Sequence, residues 1–327
     1  MSTSDYEKTV CECCKLSQQV LTGTSNSGTS NSKTLVKKNS SSVNGSHIAF
    51  QSRLTDTLIL AISSGMGSFQ FFLGSQQSYT RSSLRPDDIE KTQQILKDIP
   101  VKIFTHSPLI YNLAGSVKMK SLAWQGNENV DNMITNLIQN LNGELATLTK
   151  IGAIGTVIHS GYSIDGKTNE ALTAIAQTLN KVKFSGSKVI LEICAGEKGR
   201  IGVDLKQLND IRDQVDEEKQ KFIGFCVDTA HAFGGGLYNL SKCEEVKKMF
   251  EDIDASKGRV ELIHLNDSAV PFNSKKDRHE SLKSGFIWGK DDSSLRLLLE
   301  MAKIREIPCV LETVASDMNT LFELETE

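Results

Sequence analysis

No stretch of this 327-residue chain approaches the roughly 20 consecutive apolar residues that a membrane-spanning helix needs. The start has no basic segment followed by an apolar core, so no secretory signal is expected. The seven cysteines are odd in number and scattered, which excludes a disulfide framework and points to a reducing, intracellular setting. Cys194, Cys226 and Cys309 fall inside apolar runs, where a thiol behaves as a small hydrophobe. Cys11, Cys13 and Cys14 have no second ligand pair at finger-like spacing and read as thiols of a tail. Two tryptophans are too few for a platform that stacks single-stranded bases. A net charge of −3 excludes a broadly basic nucleic-acid binder. Gly234, Gly235 and Gly236 lack nucleotide-fingerprint spacing and suit a loop passing close to a ligand.

Residues 1–45 are dominated by Ser, Thr, Asn and Gly and are too poor in apolar side chains to offset chain entropy. They read as a disordered extension, and residues 46–327 as one domain. From residue 46 onward, eight short apolar runs alternate with amphipathic stretches of helical period: 46–50, 68–74, 101–107, 155–161, 188–196, 222–231, 260–267 and 308–313. Several are continuously apolar, as parallel strands covered on both faces are. Eight such units, with no glycine-rich phosphate loop after the first, predict a (β/α)8 TIM barrel of the α/β class rather than an open doubly wound sheet.

Five of the six histidines sit where such runs end or just beyond: His106, His159, His231, His264 and His279. Carboxylates occupy matching places at Glu192, Asp228, Asp277 and Glu312. In a barrel the strand C-termini share one face, so residues scattered along the chain converge there. Imidazoles and carboxylates in this number suit several metal ions with open positions, hence a multi-metal hydrolase. Such ions make a cleft in an acidic chain locally positive, so the charge balance admits a phosphate substrate. Asn266 and Asp267 either support ligands or turn the chain, and His47 reads as a satisfied polar residue.

The runs CVDTAHAFGGG, HLNDS with DRHESL, and LET, taken as a set, resemble the endonuclease IV family of apurinic/apyrimidinic (AP) endonucleases, strand by strand over residues 46–325. The resemblance implies three zinc ions, with manganese acceptable in part. Carried onto this chain, it gives the first ion His106, His159 and Glu192, and lets Glu192 bridge to a second completed by Asp228, His264 and Glu312. His231, Asp277 and His279 match the third. The implied chemistry is hydrolysis of the phosphodiester 5′ to an abasic site in duplex DNA, leaving a 3′-hydroxyl. Glu192 and Glu312 are then the catalytic carboxylates, the enzyme is a monomer, and 3′-blocked ends are trimmed.

The loops that grip DNA in the family differ here. Leu109 stands at the family's inserted tyrosine, with Tyr111 two residues on, and Gln77 and Tyr79 replace an arginine and a tryptophan. Lys283 and Ser284 interrupt the family's L-G-E-G segment. Lys275, Lys276, Arg278, Lys283 and Lys290 are expected to meet phosphates, and Phe286 or Trp288 to wedge between bases. Two other readings compete. A sugar isomerase or epimerase of the xylose-isomerase-like barrels has no need of Asp277 and His279. A lesion-binding protein with structural zinc would close each ion with four protein ligands.

Overall fold

The computed structural model describes residues 42–326 except 80, 116–127, 164–165, 198 and 315. Most of the expected extension, its three cysteines and Trp124 lie outside the described residues. The eight expected runs each contribute one parallel strand: β1 (Gly45–His47), β2 (Ser68–Phe71), β3 (Lys102–His106), β4 (Gly155–His159), β5 (Lys188–Glu192), β6 (Ile223–Asp228), β7 (Val260–His264) and β10 (Cys309–Leu311). They close into a barrel in the order β1-β10-β7-β6-β5-β4-β3-β2. A separate antiparallel ribbon pairs β8 (Asp267–Ser268) with β9 (His279–Glu280) above it.

The longer helices fill the amphipathic stretches between the strands: α1 (Leu54–Ser63), α2 (Pro86–Asp98), α3 (Glu128–Ile151), α4 (Thr168–Asn180), α5 (Leu205–Arg212) and, after two short helices, α8 (Cys243–Ala255), α9 (Ser293–Ile304) and α10 (Asp317–Thr326). The short α6 (Glu217–Gln220) follows α5. The run 222–231 departs from its expectation as a single strand. It stops at Asp228, whose Oδ1 accepts the His231 backbone N–H at 2.7 Å and caps α7 (Thr229–Gly234). An aspartate offering its side chain to the first helical turn ends extended structure there.

Side chains alternate across each strand, so the sheet feeds two cores. Outward residues such as Phe69, Ile103, Ile158, Leu191, Val227 and Ile263 pack under the helices. Inward, Phe104, Val157, Ile190, Cys226, Leu262 and Val310 form a ring of their own, none of it exposed. Burial on both faces is why the strands read as unbroken apolar runs. Two polar devices fix the frame. Asp88 of α2 accepts the backbone N–H groups of Leu54 and Thr55 at 2.8 and 2.9 Å, satisfying donors that the start of α1 leaves open. Asn44, just before β1, accepts the Cys309 N–H at 2.7 Å and donates to Glu325 of α10, pinning the first strand to the last.

Candidate metal centre

Six neighbouring strands of the barrel carry the site. Two residues beyond each member of the inner ring, on the same face, stand His106, His159, Glu192, Asp228, His264 and Glu312. The first five are each the last residue of their strand, and Glu312 directly follows β10. Past His159 the chain turns at Gly161 with φ +122°, a conformation that favours glycine, and a Cβ there would strike Asn112.

Glu192 is the centre of the cluster and fully buried. Its Oε2 lies 3.2 Å from Nε2 of both His106 and His159. Its Oε1 lies 2.9 Å from His264 Nδ1 and 3.4 Å from His231 Nδ1. His264 Nδ1 also faces Glu312 Oε2 at 3.2 Å and Asp228 Oδ2 at 3.8 Å. Beyond it, His231 Nε2 is 3.1 Å from Asp277 Oδ2, and His279 Nε2 is 3.3 Å from Asp277 Oδ1 and 3.6 Å from Asp228 Oδ2. The potential ligand atoms gather as His106–His159–Glu192, as Glu192–Asp228–His264–Glu312, and as Asp228–His231–His279. All nine sequence-derived residues are thus in one cluster. Asp228 lies between the second and third groups, a placement that spacing alone did not reveal.

The donor chemistry fits divalent ions. Among the described residues the partners of Glu192, Asp228 and Glu312 in ion pairs are imidazoles, with no lysine or arginine between them. Burial disfavours charge on Glu192, yet His264, His159 and His106 outweigh it and hold its carboxyl well below the usual range. Burial is likewise overcome at Glu312, by His264 foremost, leaving it at about 2. Burial alone would lower His231, but Asp228, Asp277 and Glu192 lift it well above the imidazole range. His106, His231 and His264 are driven to hold protons where the carboxylates call for positive charge, and divalent ions displace such protons on binding. Beneath them, burial pushes the Cys226 thiol up to about 12, so it behaves as an apolar neighbour of Glu192 and His264.

Hydrogen bonds behind the cluster orient it. His106 Nδ1 donates to the Ser107 carbonyl at 2.7 Å and His231 Nδ1 to the Ile193 carbonyl at 2.9 Å, which leaves each Nε2 facing the cavity. Asn266 Nδ2 donates to Asp228 Oδ2 at 2.7 Å and Glu312 Oε2 at 3.1 Å, and its Oδ1 accepts the Glu312 N–H at 3.0 Å. Asn266 therefore supports the ligands. Asp267 turns the chain, accepting backbone N–H groups of Ser268, Gly285, Ile287 and Trp288. Gln70 of β2, fully buried and contacting His264, Glu312 and His47, went unnoticed in the sequence. Its signal was a lone amide among the phenylalanines of SFQFF. His47 is held down to about 4 by burial and is neutral.

The expected DNA contacts divide. Gln77, Lys275, Lys276, Arg278, Lys283, Lys290 and Phe286 are exposed, Phe286 at 58%, and Tyr79 is half-buried. Lys283 pairs with Asp292 at 2.7 Å. Lys275 donates to the Gly235 carbonyl, and Gly234 leaves room for the Lys276 carbonyl, so what the glycine run lets pass closely is the 274–276 segment of the chain itself. Trp288 and Tyr111 depart from their expectation, being 0% and 1% exposed. Asp267 gathers the backbone of 285–288 and turns Trp288 into the core. The turn closed by Tyr111 N–H on the Pro108 carbonyl at 3.1 Å buries Tyr111 against Tyr79. Leu109 and Ile110, each 37% exposed, stand at the surface instead.

This barrel, with its donors on the strand C-termini, has relatives. Residues 58–325 match the xylose isomerase-like TIM barrel family, and the chain belongs to it. Within that class it is a member of the endonuclease IV family. A Thermotoga maritima protein described as a probable endonuclease 4 is 30% identical over 273 residues, covering 80% of this chain and 88% of the relative. Among solved structures, endonuclease IV from Thermus thermophilus superposes with a TM-score of 0.69 at 18% identity, covering 86% of this chain and 97% of that one. A D-tagatose 3-epimerase-like protein superposes with a TM-score of 0.57 at 18% identity over 86% of this chain and 96% of that one, so the fold by itself does not separate the two chemistries.

Proposed function

We propose that this AP endonuclease family member is a DNA-repair enzyme that hydrolyses the phosphodiester 5′ to abasic sites in duplex DNA with three zinc ions, leaves a 3′-hydroxyl and trims blocked 3′ ends. The observation that carries the reading is Glu192, one buried carboxylate with an oxygen toward each of two donor groups. His106, His159 and Glu192 hold one ion, Glu192, Asp228, His264 and Glu312 a second, and His231, Asp277 and His279 a third, manganese being acceptable to the same donors. Bound ions of this kind supply Lewis-acid charge to phosphoryl oxygens and ready ionisation of water.

The chain's own residues do the rest. Glu192 and Glu312 are the catalytic carboxylates. Glu192 sets the spacing between the first two positions, and Glu312, anchored by Asn266, presents an anionic oxygen where a nucleophilic water is oriented and deprotonated. Lys275, Lys276, Arg278, Lys283 and Lys290 meet phosphates, Gln77 and Tyr79 line the approach, and Phe286, with Leu109 and Ile110, offers apolar surface to an opened base step. Residues 46–327 act as one catalytic domain behind the extension, as a monomer inside the cell. The free cysteines, Cys194, Cys226, Cys243 and Cys309 among the described residues, support a reducing compartment. No described helix is long and apolar enough to cross a membrane.

The test is incision of a duplex carrying one tetrahydrofuran abasic analogue, before and after prolonged chelation. A 3′-hydroxyl product lost on chelation is expected. Binding without incision under any divalent ion favours a non-catalytic lesion binder, and sugar turnover without DNA cleavage favours an isomerase or epimerase.

A further inference from the structure

Three histidines of the cluster have one ring nitrogen occupied by an oxygen behind it. For His106 and His231 that oxygen is a backbone carbonyl, of Ser107 and Ile193. A carbonyl only accepts, so in each ring the other nitrogen is free for an ion. His264 has no such carbonyl. Its Nε2 lies 3.0 Å from Oε1 of Gln70, a residue from the far side of the barrel with no exposed surface.

The orientation of the Gln70 amide follows from its neighbours. The atom 3.0 Å from Glu312 Oε1 faces a carboxylate of the proposed metal site, and a carboxylate that binds an ion is ionised and only accepts. That amide atom must be the NH2 group. The other end, toward His264, is then the carbonyl oxygen, which requires the proton of His264 to be on Nε2. His264 Nδ1 faces Glu192, Glu312 and Asp228, and a divalent ion bound among them would displace its proton, leaving the ring as the Nε2–H tautomer with the Nδ1 lone pair for the ion. The second proton of the NH2 group goes to His47 Nδ1 at 3.0 Å, so every polar atom of Gln70 has a partner.

From this geometry we infer that Gln70 is the positioning residue of the second metal position: it fixes the tautomer of His264 and ties His264 to Glu312, so that both present their ligand atoms to the same ion. The inference rests on the reading that these residues hold metal. It also gives His47 a purpose, as the neutral acceptor that completes the amide. A glutamate at 70 has no NH2 group and sets a second carboxylate against Glu312. A leucine keeps most of the volume and removes both hydrogen bonds.

The experiment uses the holoprotein with 15N-labelled histidine, together with Gln70→Leu and Gln70→Glu. In the parent, His264 is expected as the Nε2–H tautomer with Nδ1 bound to metal. After dialysis against a chelator, Gln70→Leu is expected to retain about one ion fewer per chain, with affinity at that position down about 10–100-fold, the usual effect of removing a group behind a ligand. Its kcat on the tetrahydrofuran duplex should fall by a similar factor with KM unchanged, and Gln70→Glu should fall further. A parent that holds its ions but carries the His264 proton on Nδ1 overturns the inference whatever the variants do. So does a folded Gln70→Leu with full metal content and parental kcat. A parent that holds no ions overturns the metal reading itself, which keeps the two failures apart.

Discussion

Two rings of side chains lie two residues apart on the same six strands. The lower is Phe104, Val157, Ile190, Cys226, Leu262 and Val310, and the upper is His106, His159, Glu192, Asp228, His264 and Glu312. Backbone, register and burial are nearly the same, yet the lower ring is dry hydrocarbon and one thiol, while the upper is densely ionisable. The lower ring needs nothing beyond close packing. The upper carries charge where water is scarce, a state that persists only when each group has a partner. The barrel therefore separates holding the fold from the proposed chemistry by about two residues of strand, and each assignment can be broken independently.

The largest effect is expected on the upper ring at its shared member. Glu192→Gln should lose two of the three proposed ions, seen by elemental analysis, and lower incision by more than the roughly 10–100-fold typical of groups behind ligands. Prolonged chelation of the parent should do the same reversibly. Retained metal and rate in Glu192→Gln would erase the contrast between the rings. Next, Glu312→Gln should keep the circular dichroism of the parent and lose at least about 10²-fold in kcat, since it removes an anionic oxygen beside the proposed water. In the lower ring, Ile190→Ala should cost about 2–5 kcal/mol of unfolding free energy in denaturant titrations, leaving the rate per folded molecule close to parental. A specific loss of kcat there would show that the rings are not separable.

Smaller effects test the frame and the rim. Burial works against charge on Asp88, but Thr55, the Leu54 N–H and Arg53 outweigh it and hold its carboxyl below the ordinary range. A depressed carboxyl stabilises in full above its unfolded value, about 3.9, and the contribution is lost as pH falls through the folded value. Asp88→Asn should therefore cost about 1–2 kcal/mol at neutral pH and flatten the loss of stability below about pH 4, read from melting curves across pH. At the rim, Lys276→Ala should weaken duplex binding modestly and reduce the slope of log K against log salt by about one. An unchanged slope would remove Lys276 from the phosphate contacts.

The sequence carried the barrel because its signal is periodic and redundant. Strands buried on both faces leave apolar runs, and the amphipathic stretches between them carry the helical period. The cluster of candidate donors was legible because ionisable residues at the ends of apolar runs are out of place unless they serve something. The end of β6 was harder, since Thr229 and Ala230 continue an apolar texture and only the cap from Asp228 to the His231 N–H stops the strand. The aromatic side chains of the rim were not legible. Whether Trp288 faces DNA or the core depends on Asp267 gathering N–H groups about 20 residues downstream, a long-range choice with no local pattern. Gln70 was hidden for the opposite reason: one polar residue among phenylalanines looks like noise until the facing strands are known.

The reach of that amide bears on when the proposed centre exists at all. Gln70 and Glu312 meet across 242 residues of chain, and Glu192 and His264 across 72. The first of these forms only as the barrel closes, when β10 slots between β7 and β1. A chain still emerging from the ribosome, or one clipped before its last strand, has its histidines and Gln70 but lacks Glu312, the carboxylate that the amide clasps in the proposed second position. The proposed cutting of DNA is then a property of the finished molecule alone, with closure of the barrel as its safety catch.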